Sequence, residues 1–226
     1  MKSQVRGGTR WKRFAVVMVP SVAATAAIGV GLAQGALAAS FSISGQEFKV
    51  SAQSLEGTNF VQYGSVDTGK NLDGSSLAAP VAVSGFSTAK ITKMCQSVVT
   101  PQVPFINDSV TLTLEAGTKA AETGDDKDKV IASDIYLDVS DLQADARFDK
   151  IDIGVAAGKL NEFDGKVDGS KPGIQPKTAA NPYGFGQRAE SATLTNVKQR
   201  AWATTAGTFT LPGLHLSLKK GVHECY

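Results

Sequence analysis

Three short segments of this chain alternate apolar and polar residues with a period of two, and that pattern limits the fold more than any other feature. In 108–115 (DSVTLTLE), Val110, Leu112 and Leu114 fall on one side and Thr111, Thr113 and Glu115 on the other. Ile135, Leu137 and Val139 repeat the pattern in 134–140, as do Ile151, Ile153 and Val155 in 149–155. Successive side chains of a strand point to opposite sides, so each segment predicts a strand with one covered and one wet face. Further candidate strands are 41–50, 59–66, 80–84, 91–99, 193–204, 207–211 and 214–218, the last two separated by the turn pair Pro212-Gly213. Helical patterns are scarce: 51–57 is expected to give one turn, and 143–147 is too short to assign. Many strands punctuated by glycine predict an all-β antiparallel sandwich or barrel-like domain. No fixed-period repeat points to a solenoid.

The N-terminal residues follow a different rule. Lys2, Arg6, Arg10, Lys12 and Arg13 precede 20 uncharged residues, 14–33, and the triplet Ala36-Leu37-Ala38 offers the small residues signal peptidase accepts. Two fates are open, cleavage after Ala38 or retention as an anchor, since 20 residues of helix reach about 30 Å and span a bilayer. The expected organisation is therefore a signal peptide or signal-anchor helix, 1–38, followed by a single extracytoplasmic β domain, 39–226. The protein is expected to be secreted, or tethered to the plasma membrane by 14–33.

This segment holds the whole basic excess. The full sequence carries a net charge of +2, but without those five basic residues 18 Lys and Arg face 21 Asp and Glu, near −3. A slightly acidic domain argues against nucleic acid as a partner.

The only two cysteines, Cys95 and Cys225, both lie in the exported part. A pair in an oxidising compartment predicts one disulfide, closing a loop of about 130 residues. Two long loops are expected, at 116–129 and 159–188. The second contains Asn181-Pro-Tyr-Gly-Phe-Gly186, whose aromatics Tyr183 and Phe185 either present a contact surface or, as is more common, fold back to cap a core edge.

Catalytic chemistry has few footholds. The strict G-x-S-x-G elbow is absent; relaxed forms ending in Ala place Ser76 in Gly74-Ser-Ser-Leu-Ala78 and Ser87 in Gly85-Phe-Ser-Thr-Ala89. Neither opens a helical pattern, which a nucleophile elbow requires. A base would have to be His215 or His223, the only histidines. His215 alternates with Leu214, Leu216 and Leu218 onto the polar side of its strand, as a solvated residue. Ser76, Ser87 and His215 are thus weak catalytic candidates. The aspartates between Asp125 and Asp152 are expected to be solvent-facing strand carboxylates, lacking any known calcium-loop spacing. Phosphate-loop and dinucleotide fingerprints are also missing, so no cofactor and no metal are expected.

Three stretches together carry a resemblance: the start Met1-Lys-Ser-Gln-Val-Arg-Gly-Gly-Thr-Arg-Trp-Lys-Arg-Phe14, the segment Ala146-Arg-Phe-Asp-Lys-Ile-Asp-Ile-Gly154, and Gln199-Arg-Ala-Trp-Ala-Thr-Thr-Ala-Gly-Thr-Phe-Thr-Leu-Pro-Gly-Leu214. The chain resembles an uncharacterised family of exported actinobacterial proteins, some automatically labelled cholesterol esterase. The resemblance spans nearly the whole chain and brings no established catalytic residues. If the chain is an enzyme, the label implies a serine carboxylic-ester hydrolase. The expected role is an exported cell-envelope or secreted β protein with a structural or binding function. A lipid- or sterol-binding module is the alternative, because alternating strands can enclose a ligand as readily as a dry core.

Overall fold

The computed structural model describes residues 42–226 apart from 104, 106 and 177. The segment expected to be a signal or anchor lies outside the described residues; within them, no helix is long and apolar enough to cross a membrane.

The described chain is mostly antiparallel strands: β1 (Phe48–Lys70), β2 (Ser76–Thr92), β3 (Met94–Val103), β4 (Asp108–Ala116), β5 (Val130–Asp149), β6 (Asp152–Ala156), β7 (Glu162–Phe163), β8 (Lys166–Val167), β9 (Phe185–Thr205), β10 (Thr208–Thr210) and β11 (His215–Lys220). A short α-helix, α1 (Ala120–Thr123), and a 3-10 turn at Asp126–Asp128 lie in the first expected loop, and the β7–β8 hairpin lies in the second. The end of that second loop is not loop at all, since Phe185 to Arg188 open β9.

Four strands close on themselves. β1 pairs with β2, β2 with β5, β5 with β9, and β9 again with β1. Gly64 pairs with Ala82, Ala82 with Val139, Val139 with Ala201 and Ala201 with Phe48, so one circuit returns to β1 sixteen residues from its start. At about 3.3 Å per residue that slip is about 50 Å, and it tilts the strands steeply around the ring. The tilt is what lets so few strands enclose a core.

Strands this long must bend. Bends fall at Asn59, Asp134 and Asn196, which adopt φ of 52°, 48° and 53°. Asn and Asp enter this left-handed region at less cost than other side chains. At Asn59 the bend is fastened by the amide Nδ2 donating to Ser87 Oγ at 3.1 Å. Here the structure corrects the sequence reading: 51–57, expected as a helical turn, is strand, and it joins 48–50, the end of the expected strand 41–50, to 59–66 in a single β1. The backbone of 54–58 is paired on both sides, to β2 and to β9, which leaves no hydrogen bonds for a helix. Gly57 sits against the Phe86 ring, where any Cβ would overlap it. Likewise 143–147 is part of β5.

The expected strand 91–99 is broken at Lys93, with φ of 51°. β3 nevertheless keeps the register of β2 along β1, Ser54 opposite Thr92 and Ser51 opposite Cys95. It then leaves the ring to form an outer flap with β4 and β11.

The ring interior is packed by Leu55, Phe60, Phe86, Ile135, Leu137, Leu194 and Val197, among others. Phe60 stacks at 5.3 Å from Phe86 and 5.1 Å from Phe148. The outer face carries a second core, Val61, Tyr63, Val81 and Val83, roofed by Ala157, just after β6, and by Leu160 of the long loop. Beside it Ile43 covers Ala79 and Ala203. Its backbone N–H donates to Thr68 O at 3.1 Å, and Gly69 permits that close approach because a Cβ would strike the Ile43 carbonyl.

Candidate functional site

Where β3 departs from the ring wall, the interior is left open. The resulting cleft, about 400 Å³, is lined by Phe48, Val50 and Leu55 of β1, Ile135 and Leu137 of β5, Val197 of β9 and Phe209 of β10, with Met94 at its edge. Gln96, Gln199 and Thr204 are its polar groups. Leu55, Leu137, Val197 and Gln199 also border a smaller void of about 40 Å³ between Phe60 and Phe86, so the cleft points into the core. Concave, mostly apolar spaces with a few polar groups, at the mouth of a barrel, are where small ligands bind.

The flap extends this apolar surface. Leu216 pairs with Leu114 and Leu218 with Leu112, and next to them stand Gln96 and Val98 of β3. Val50, opposite Gln96, joins this face to the cleft. Leu214, Leu216 and Leu218 were expected to form a covered face; instead Leu216 is 55% and Leu218 67% exposed. The reason lies on the other side of the flap, where the C-terminal residues are laid down. There the Cys95–Cys225 disulfide joins the tail to β3, with Cα atoms 5.9 Å apart. Cys225 N–H donates to Ser97 Oγ at 3.0 Å, and Thr111 Oγ1 donates to Gly221 O at 2.6 Å while accepting from His223 N–H at 3.0 Å. The tail thus supplies partners for two fully buried hydroxyls, Ser97 and Thr111, and covers the polar face.

A second cleft, about 320 Å³, lies under the long loop. Its cations are already engaged. Arg188 Nε donates to Asp152 at 2.9 Å and its guanidinium lies 4.0 Å from the Phe163 ring centre, with Lys171 Nζ at 3.6 Å from the same ring. These contacts fasten the loop to β9, which makes the apolar cleft the better ligand site.

The catalytic candidates are not assembled. Ser76, exposed at the start of β2, accepts from Lys70 Nζ at 3.2 Å. Ser87 donates to Ser170 O at 3.2 Å. His215, on the flap, has Glu115 Oε2 at 3.9 Å from its Nδ1. Among the described residues neither serine hydrogen-bonds a histidine. Tyr183 and Phe185 do not cap the core but are 91% and 62% exposed.

The acidic tract hides one feature that alternation alone did not reveal. Asp138 is only 4% exposed, on the outer face of β5 in a row that runs Tyr63, Val83, Asp138, Ala203 across the ring. Its carboxyl lies within hydrogen-bonding reach of Asp67, and burial together with that neighbouring charge pushes its pKa up to about 7. Burial raises Asp67 as well. Tyr63, whose hydroxyl accepts from Gln175 N–H at 2.8 Å, is also raised, mainly by burial. The buried role could be suspected only from Asp138 lying between Leu137 and Val139.

No curated protein and no solved structure matches the chain. Residues 44–226 match a family model, and the chain belongs to the Family of unknown function (DUF6230).

Proposed function

We propose that this chain is an exported, non-enzymatic β protein that binds an apolar, lipid-class ligand in the cleft at the open end of its ring. The observation that carries the reading is the cleft itself, about 400 Å³ with walls of Val50, Leu55, Ile135, Leu137 and Val197. Its volume falls in the range of small-molecule sites, and the exposed Leu216 and Leu218 continue the apolar surface outward. Export is supported by the basic and uncharged N-terminal segments and by the paired cysteines. The protein is then secreted after cleavage at Ala38 or held at the membrane by 14–33, and intact-mass measurement separates the two.

Acyl chains and sterols share this chemistry; the sterol arm is worth including because of the resemblance to proteins labelled cholesterol esterase. Organic extraction of the purified full chain, read by mass spectrometry, is expected to release a lipid near one equivalent. A fluorescent fatty acid and a fluorescent sterol then identify the class. Val50→Trp, which fills the cleft mouth, should weaken the bound probe at least tenfold. Absence of extracted lipid together with no binding of either probe would sink the proposal.

A further inference from the structure

Four buried side-chain oxygens have no hydrogen-bond partner among the described residues: Ser65 Oγ, Asp67 Oδ2, Asp138 Oδ1 and Thr205 Oγ1. Two of these side chains, Asp67 and Asp138, lie within hydrogen-bonding reach of each other. Ser65 and Asp67 alternate with Tyr63 on the outer face of β1, Asp138 lies on that face of β5, and Thr205 of β9 is paired with Tyr136, two residues from Asp138. Asp67 pairs with Ala79 and Asp138 with Ala203, and those two alanines pack together under Ile43. Ser65 is 8% exposed and Asp138 4%, so water reaches neither freely.

Two carboxyl groups in such a place repel unless something positive lies between them. A shared proton matches at most one oxygen of each, leaving Asp67 Oδ2, Asp138 Oδ1 and both hydroxyl oxygens unmatched. The donor set is entirely oxygen, two of the four donors belonging to carboxylates, with no imidazole or thiolate among them. That is the preference of a hard divalent cation rather than a transition metal. Calcium, which accepts irregular oxygen shells completed by carbonyls and water, suits donors spread over three strands better than magnesium.

We propose that Ser65, Asp67, Asp138 and Thr205 form a calcium site that clamps β1 to β5 and β9 on the outer face of the ring. It is separate from the apolar cleft, which shares none of these residues.

Terbium replaces calcium in oxygen sites and is excited through nearby phenols, and Tyr63 stands in the same face two residues from Ser65. The full chain, stripped with chelator and returned to buffer at pH 8, is expected to show tyrosine-sensitised terbium emission that calcium displaces. Millimolar calcium is expected to raise its Tm by several degrees. Asp138→Asn and Asp67→Asn should each weaken terbium binding at least tenfold, and Ser65→Ala a few-fold, with unchanged circular dichroism. No emission and no calcium-dependent Tm in the wild type would overturn the site before any variant is made. Equal binding by wild type and both aspartate variants would do the same.

Discussion

Asp67 and Asp138 meet on the outer face of the ring although β2 lies between their strands. The pair also makes stability depend on pH. The folded state holds a proton on Asp138 up to about pH 7, whereas the ordinary value is 3.8, so the folded chain binds more protons between those limits. This contribution to stability is fully present below about pH 4 and is lost as pH rises through 7. In chelating buffer, wild-type Tm should fall from pH 5 to pH 8, and Asp138→Asn should flatten that slope and exceed wild type at pH 8. A wild-type Tm that climbs over this range would contradict the buried proton.

Removing the disulfide frees the tail and strips Ser97 and Thr111 of their partners. Cys225→Ser is expected to cost about 2–5 kcal/mol, from the lost cross-link and the orphaned hydroxyls together. Chemical denaturation read by tryptophan fluorescence measures it, and reductant should lower wild-type stability similarly while leaving Cys225→Ser unmoved.

Gly57 has no room for a side chain, because the Phe86 ring fills the space above it. Gly57→Ala should therefore destabilise by about 1–3 kcal/mol through overpacking. The same exchange at Gly64, which faces open space, should leave Tm within a degree or two.

Ester hydrolysis gives a sharp check on the unassembled candidates. Any short-chain ester turnover by the purified chain should be equal in wild type, Ser76→Ala, Ser87→Ala and His215→Ala. A loss of a hundredfold or more in one serine variant and in His215→Ala would reveal a nucleophile and base that come together only with substrate.

The class of fold was legible because period-two alternation survives wherever one face of a strand is covered, as at Leu112, Leu114, Ile135 and Leu137. Strand lengths were not, because Gly57 and Asn59, ordinarily turn residues, serve here as a packing notch and a bend inside one strand. The disulfide followed from the cysteine count and the expectation of export. The exposed Leu216 and Leu218 were misjudged for a reason alternation does not encode: which face of the flap the tail covers is decided by partners more than a hundred residues away. The cleft is likewise a product of topology, since it lies where β3, after pairing with 49–51 of β1, leaves the ring for the flap.

The sixteen-residue slip of the ring has a consequence for timing. Phe48 finds its partner in Ala201, so the first long strand stays half-paired until the last long strand exists. Pairings of such sequence separation form slowly, after the cost of closing a very long loop. For a chain exported as proposed, that delay is useful: the polypeptide remains threadable during transit, and the element that locks it shut is among the last to emerge.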